Sequence, residues 1–191
     1  MANIINIQNS HPGYNIYSVC ILCDEKEGKN YVISSAPNEK SKIWDFDGKF
    51  LRDFGVNILS TYFINSFYEY NEGKYYILNA NSSDVKSYDF KTGKLYKEYK
   101  GTPEIWHMSA LVIEVNNIME LIESDGNGNI RIWNFHTAEN LKLIPTEGAI
   151  NLRGICLWNE QYLFSSGSDN NVKLFDLKKC VIVWELMNLK K

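Results

Sequence analysis

Asn129-Ile-Arg-Ile-Trp-Asn-Phe135 decides how this chain reads. Ile130, Ile132 and Asn134 alternate with Arg131, Trp133 and Phe135, the two-residue period at which a β-strand sends successive side chains to opposite faces. The run follows Asp125-Gly-Asn-Gly-Asn129, whose chemistry specifies a tight hairpin, and leads into the short polar connection His136-Thr-Ala138. Large apolar side chains on both faces describe a strand covered from two sides.

Three other segments repeat the pattern: Lys42-Ile-Trp-Asp-Phe46, Lys86-Ser-Tyr-Asp-Phe90 and Lys173-Leu-Phe-Asp-Leu177. The ring falls at Trp44, Tyr88, Trp133 and Phe175, at intervals of 44, 45 and 42 residues. A period of this size marks a repeat architecture in which each unit buries its apolar faces against its neighbours. Each ring segment follows a polar turn, at Ala36-Pro-Asn-Glu-Lys40, Asn81-Ser-Ser-Asp84 and Gly167-Ser-Asp-Asn-Asn171 in the other three units. The spacing predicts four short strands per unit, with inner strands at 16–23, 58–66, 105–115 and 152–158 and outer strands at 49–54, 94–100, 139–144 and 180–186. No segment carries a helical period. The expectation is an all-β chain, one domain over 1–191, with units at 14–54, 57–100, 104–144 and 150–187. Asn3-Ile-Ile-Asn-Ile-Gln8 reads as the outer strand of a preceding unit within 1–10.

Composition narrows the function classes. A net charge of -3 provides none of the basic footprint that nucleic acid demands. The first ten residues lack a signal peptide's pattern, and no apolar run has the length of a transmembrane helix, so the expectation is a cytoplasmic protein with neither nucleic acid nor membrane as partner. Cys20 and Cys23 match half of a zinc site, but no second pair follows at ligand spacing, and residues i and i+3 of a strand point to opposite faces. Asp125-Gly-Asn-Gly-Asn129 is reminiscent of a calcium loop without its distal Glu. His11, His107 and His136 fall in different units, and the chain carries no nucleophile motif and no phosphate loop. The expectation is a non-enzyme with no metal and no cofactor.

Through Ile43-Trp44-Asp45, Ile132-Trp133-Asn134 and Ser165-Ser-Gly-Ser-Asp-Asn-Asn-Val-Lys-Leu-Phe-Asp176, the chain resembles the WD-repeat (WD40-like) family from about Ile16 to Leu186. The resemblance implies a β-propeller whose blades are four-stranded antiparallel sheets, with the ring filling the wedge between blades. Family members hold the indole N–H in a network of a Ser or Thr, a Gly-His pair and a turn Asp. The Gly-His pair is missing before every inner strand, only His11 being able to stand in, and Tyr88 and Phe175 replace two Trp residues. Degenerate networks and apolar packing between blades are therefore expected. WD propellers most often have seven blades, so four units imply an open or partial ring, either left open or completed by self-association or a second half-propeller.

WD propellers engage other proteins or peptides through residues flanking the first apolar position of each inner strand. Aligning Ile16, Ile58, Ile105 and Leu152 assigns partner binding to Asn15, Tyr17, Asn57, Leu59, Glu104, Trp106, Asn151 and Arg153. Tyr, Trp and Arg are types enriched at interface hot spots. The implied function is a non-catalytic protein-interaction scaffold. Two alternatives stand beside it. Ser87-Tyr-Asp-Phe-Lys-Thr-Gly-Lys94 and Phe175-Asp-Leu177 with Val183-Trp184 resemble quinoprotein-type propeller repeats, which implies an enzyme with a cofactor; a structural segment of a larger propeller assembly is the other.

Overall fold

The computed structural model describes residues 7, 10–55, 61–101, 105–145 and 152–186. Among them the chain is all-β, in four four-stranded sheets each built in sequence order. The first sheet comprises β1 (Ser18–Asp24), β2 (Lys29–Ser35), β3 (Ser41–Asp45) and β4 (Phe50–Phe54). The second has β5 (Thr61–Glu69), β6 (Lys74–Asn81), β7 (Val85–Asp89) and β8 (Leu95–Tyr99). The third runs β9 (His107–Val115), β10 (Ile118–Asp125), β11 (Asn129–Asn134) and β12 (Asn140–Pro145), and the fourth β13 (Leu152–Leu157), β14 (Tyr162–Gly167), β15 (Val172–Asp176) and β16 (Val181–Leu186). No helix among the described residues is long and apolar enough to cross a membrane. The expected outer strand within 1–10 lies outside the described residues, apart from Ile7 and Ser10.

The chain forms two compact units, residues 1–82 with 86–96, and 83–85 with 97–191. In the first, Leu22, Ile33, Ile43 and Phe54 from one sheet and Ile64, Ile77, Tyr88 and Phe90 from the next make one buried cluster. Phe54 meets Tyr88 edge-on at 5.5 Å between ring centroids. In the second, Ile113, Ile122, Ile130, Ile132 and Ile144 bury against Leu152, Leu163, Phe175 and Leu177. Tyr99, which belongs to this unit, donates its hydroxyl hydrogen to the Phe135 carbonyl at 2.7 Å and sets its ring 6.2 Å from Trp133. Both clusters follow from the period-2 pattern, since alternate residues of each strand carry apolar area to one face. All four rings are buried. The pairs Val32↔Trp44, Leu121↔Trp133 and Leu163↔Phe175 set three of them at the same rung of their ladders.

The residue after each ring closes the hairpin between the third and fourth strands. Asp45 Oδ1 accepts the N–H groups of Asp47 and Lys49, Asn134 Oδ1 those of His136 and Thr137, and Asp176 Oδ1 those of Lys178 and Lys179. Asp89 Oδ1 takes the N–H of Thr92 at 2.7 Å and its hydroxyl at 2.9 Å. An oxygen at this position is what the turn requires, and a charge is secondary. Asp89→Ala is therefore expected to lower stability by about 1–2 kcal/mol, and Asn134→Asp by under about 0.5 kcal/mol. Urea unfolding of both variants checks this, and an equal loss in the two would refute an oxygen-only requirement.

Candidate functional site

Three inner strands begin with the same irregularity. Thr61 and Phe63 face Asn81 and Ala80, His107 and Ser109 face Asp125 and Ser124, and Leu152 and Gly154 face Gly167 and Ser166. Each time the inner strand carries one residue too many, namely Tyr62, Met108 and Arg153. In the first sheet Ser18 faces Ser35, whose carbonyl accepts the Tyr17 N–H at 2.9 Å, which puts Tyr17 in the equivalent place. Bulges of this kind re-aim a side chain and end regular pairing.

The bulge changes the register read from sequence. The counterparts of Ile16 and Leu152 are Thr61 and His107 rather than Ile58 and Ile105, because an inserted residue is invisible to simple alignment of apolar positions. Sequence reasoning thus missed Tyr62 and Met108. Counting back from the buried ring through two hairpins, instead of forward from the first isoleucine, would have reached them. Of the eight expected residues, Asn57, Leu59, Glu104 and Asn151 lie outside the described residues, while Asn15, Tyr17, Trp106 and Arg153 are all exposed.

In the first unit Tyr17 stacks on Tyr62, with ring centroids 5.8 Å apart and planes inclined by 10°. The Ser18 hydroxyl accepts the Ile64 N–H at 3.1 Å, so the two strand starts are tied together beneath the stacked rings. In the second unit the Trp106 carbonyl accepts the Gly126 N–H at 2.7 Å, which fixes its backbone against the β10–β11 turn. Its indole is half exposed. The Ser124 hydroxyl donates to the Leu152 carbonyl at 3.0 Å and holds the start of β13, hence Arg153, at the same end of the sheets as Trp106. Aromatic faces and a guanidinium can stack on or bridge to a protein surface.

Buried polar groups underlie both ends. Trp44 Nε1–H donates to Ser34 Oγ at 3.0 Å, Ser34 meets His11 Nε2 at 2.9 Å, and His11 Nδ1 meets the Glu39 carboxylate at 2.7 Å. A neutral His11 protonated on Nδ1 satisfies all three contacts. Lys42 Nζ reaches Glu39 at 3.1 Å and the Ser10 carbonyl at 2.9 Å. Burial pushes the Glu39 carboxyl up, but hydrogen bonds from His11 and Lys42 outweigh it and leave it below its ordinary value.

In the third sheet Glu123 stands in Ser34's place and the network is rebuilt as ion pairs. His107 Nδ1 lies 2.7 Å from Glu123, and Arg131 lies 3.4 Å from Glu123 and 2.7 Å from Asp125. A Cβ at residue 101 would overlap the His107 ring, so glycine is what the close approach allows. The Trp133 indole N–H has no acceptor among the described residues. In the fourth sheet Phe175 offers no donor, and the buried Ser165 hydroxyl has no partner among the described residues.

The remaining chemistry-bearing residues cap hairpins or stand as free thiols. The Asp125 carboxylate accepts hydrogen bonds from Asn127 and Asn129 and pairs with Arg131, which is the work of a hairpin cap. Cys20, Cys23, Cys156 and Cys180 are free thiols. Burial pushes the Cys20 thiol up to about 12 against the opposing hydrogen bond with Ser66, so it stays protonated and unreactive. No cluster of three or more His, Cys, Asp or Glu side chains poised to hold a metal occurs among the described residues.

No protein-family model matches the chain, and no curated protein matches it. Among solved structures it is similar to the crystal structure of the computationally designed Ika4 protein, with 17% sequence identity over 92% of this chain and 98% of that one and a TM-score of 0.68. That likeness shows the fold, four blades of a propeller-like architecture, and carries no function with it.

Proposed function

We propose that this chain is a WD-repeat protein-interaction scaffold that binds another protein or peptide through residues at the starts of its inner strands, without turnover. One observation carries the reading: the same bulge recurs at three of the four strand starts and turns Tyr62, Met108 and Arg153 out of the ladder, while Tyr17 holds the equivalent place in the first sheet and Trp106 stands half exposed just ahead of β9. Tyr, Trp and Arg supply large contact area for little conformational entropy, the pattern of residues that dominate interface energies. The His11–Ser34–Trp44 chain supports the family assignment, because it links a histidine, a serine and the repeat tryptophan in the order the family uses, with Glu39 in the acidic role. Free thiols suit the reducing cytoplasm proposed as its compartment.

The test compares proteins cross-linked to the wild-type chain in cells with those cross-linked to Tyr17→Ala, Trp106→Ala and Arg153→Ala. Each position is exposed, so unfolding curves are expected to stay unchanged while a defined subset of cross-linked proteins falls at least about tenfold. Identical capture by all three variants would remove the site.

A further inference from the structure

Each unit pairs its two sheets in the same way. In the first unit the face bearing Leu22, Ile33, Ile43 and Phe54 lies against the face of the second sheet bearing Ile64, Ile77, Tyr88 and Phe90. In the second unit Ile113, Ile122, Ile132 and Ile144 of the third sheet lie in the same way against Leu163, Phe175 and Leu177 of the fourth. The rungs Ile33↔Ile43 and Ile122↔Ile132 make the two leading faces equivalent. Each trailing face is the one that carries the ring. A basic side chain latches both pairings, Arg52 donating to the Phe90 carbonyl and Lys142 to the Leu177 carbonyl at 3.2 Å.

Among the faces that these two pairings do not use, one of each kind is visibly uncovered. The trailing face of the first sheet exposes Val19 by 60% and Ile21 by 55%, whereas Ile64, the counterpart of Val19, is 1% exposed. A groove of about 560 Å³ runs along it, lined by Ile7, Val19, Ile21, Val32 and Phe46. The leading face of the fourth sheet exposes Trp158 by 64% and Trp184 by 47%, whereas Leu22, the counterpart of Trp158, is 1% exposed. Trp158 packs on Tyr162 and Phe164 at centroid distances of 5.9 and 6.0 Å, which makes a ready-formed aromatic platform. The rungs Ile43↔Arg52 and Leu174↔Trp184 put Trp184 at the latch position of Arg52. In a pairing of the same kind its indole N–H would stand where Arg52 and Lys142 donate, opposite the Phe46 carbonyl, the counterpart of the Phe90 and Leu177 carbonyls. The face the first sheet lacks is therefore of the kind the fourth sheet holds uncovered.

We propose that the trailing face of the first sheet docks the leading face of the fourth sheet of a second copy of this chain, giving head-to-tail self-association. The contact repeats a pairing the chain already makes twice and joins unlike surfaces, so it is heterologous in the sense of assembly symmetry. Uncovered apolar patches of this kind mark association, and two tryptophans at the centre are the anchors that such interfaces use. The proposal stands apart from the binding surface at the strand starts and survives if that surface proves inert.

Sedimentation velocity of the full chain over a concentration series tests it. The wild type is expected to sediment above its monomer mass, and Ile21→Glu or Trp184→Glu to weaken association at least about 30-fold, with unchanged far-UV circular dichroism. Val19→Glu and Trp158→Glu replace either variant whose spectrum changes. An equimolar mixture of the first-sheet and fourth-sheet variants is expected to regain a dimer, since each contributes one intact face. A wild type that stays monomeric throughout, because the faces meet within one chain or await a different protein, overturns the proposal. So does a mixture that stays monomeric, or a Trp184→Glu variant that still dimerises through two first sheets.

Discussion

Glu123→Ala is expected to destabilise the second unit by about 3–5 kcal/mol, because it leaves buried polar groups without their partner. Glu123 and His107 are fully buried and Arg131 nearly so. The carboxylate serves two donors at once, His107 Nδ1 at 2.7 Å and Arg131 Nη1 at 3.4 Å. Asp125 would still hold Arg131, but the imidazole would lose its contact while its Nε2 already has no partner among the described residues. A buried donor stripped of its acceptor bears the full desolvation penalty, which exceeds the net worth of the bond itself. Glu123→Gln keeps an acceptor oxygen in place and is expected to lose less than half as much. Urea unfolding monitored by tryptophan fluorescence separates the two variants. A loss below about 1 kcal/mol for the alanine variant would mean that solvent reaches the group and that the ion pairs do not hold this end of the sheet.

Much of the fold could be read from the chain because one pattern recurs four times in register. Ring, acidic or amide cap, and polar turn each occupy a place that backbone chemistry explains, so the third strand of every sheet and its hairpin are visible in the residues alone. The ends of the inner strands were less legible. A bulge adds one residue without any apolar signature, and for that reason Thr61 and His107, rather than the nearest upstream isoleucines, mark the strand starts. The buried networks were half legible. His11 is the one histidine ahead of an inner strand, and it does reach Ser34 and, through that hydroxyl, Trp44. Nothing in the sequence announces that Glu123 replaces the serine in the third sheet, because a charged residue in a strand reads as solvent-facing until its partners His107 and Arg131 are brought to it from neighbouring strands. Val19, Ile21 and Trp184 resemble core residues in the sequence and are exposed in the structure. Period-2 patterning marks a face as apolar but does not say whether another sheet lies upon it.

Phe175→Ala is expected to cost about 3–5 kcal/mol, of the same order as the Glu123 change but for a different reason. Phe175 is fully buried in the cluster that joins the third and fourth sheets, packed with Leu163 and Leu177 from its own sheet and Ile132 from the other. The side chain has no polar atom, so the loss divides between transfer of the ring to water and the cavity left between two sheets that cannot close without moving their ladders. Phe175→Leu fills part of that space and is expected to lose under about 2 kcal/mol. At this chain length the alanine variant corresponds to a fall in Tm of roughly 10 °C, readable by calorimetry. The order of the two substitutions is the decisive part. A wedge between sheets makes the loss grow with the volume removed, whereas a ring lying in a loosely packed or hydrated gap would make alanine and leucine equivalent and would remove the physical basis for reading the four rings as one repeated device.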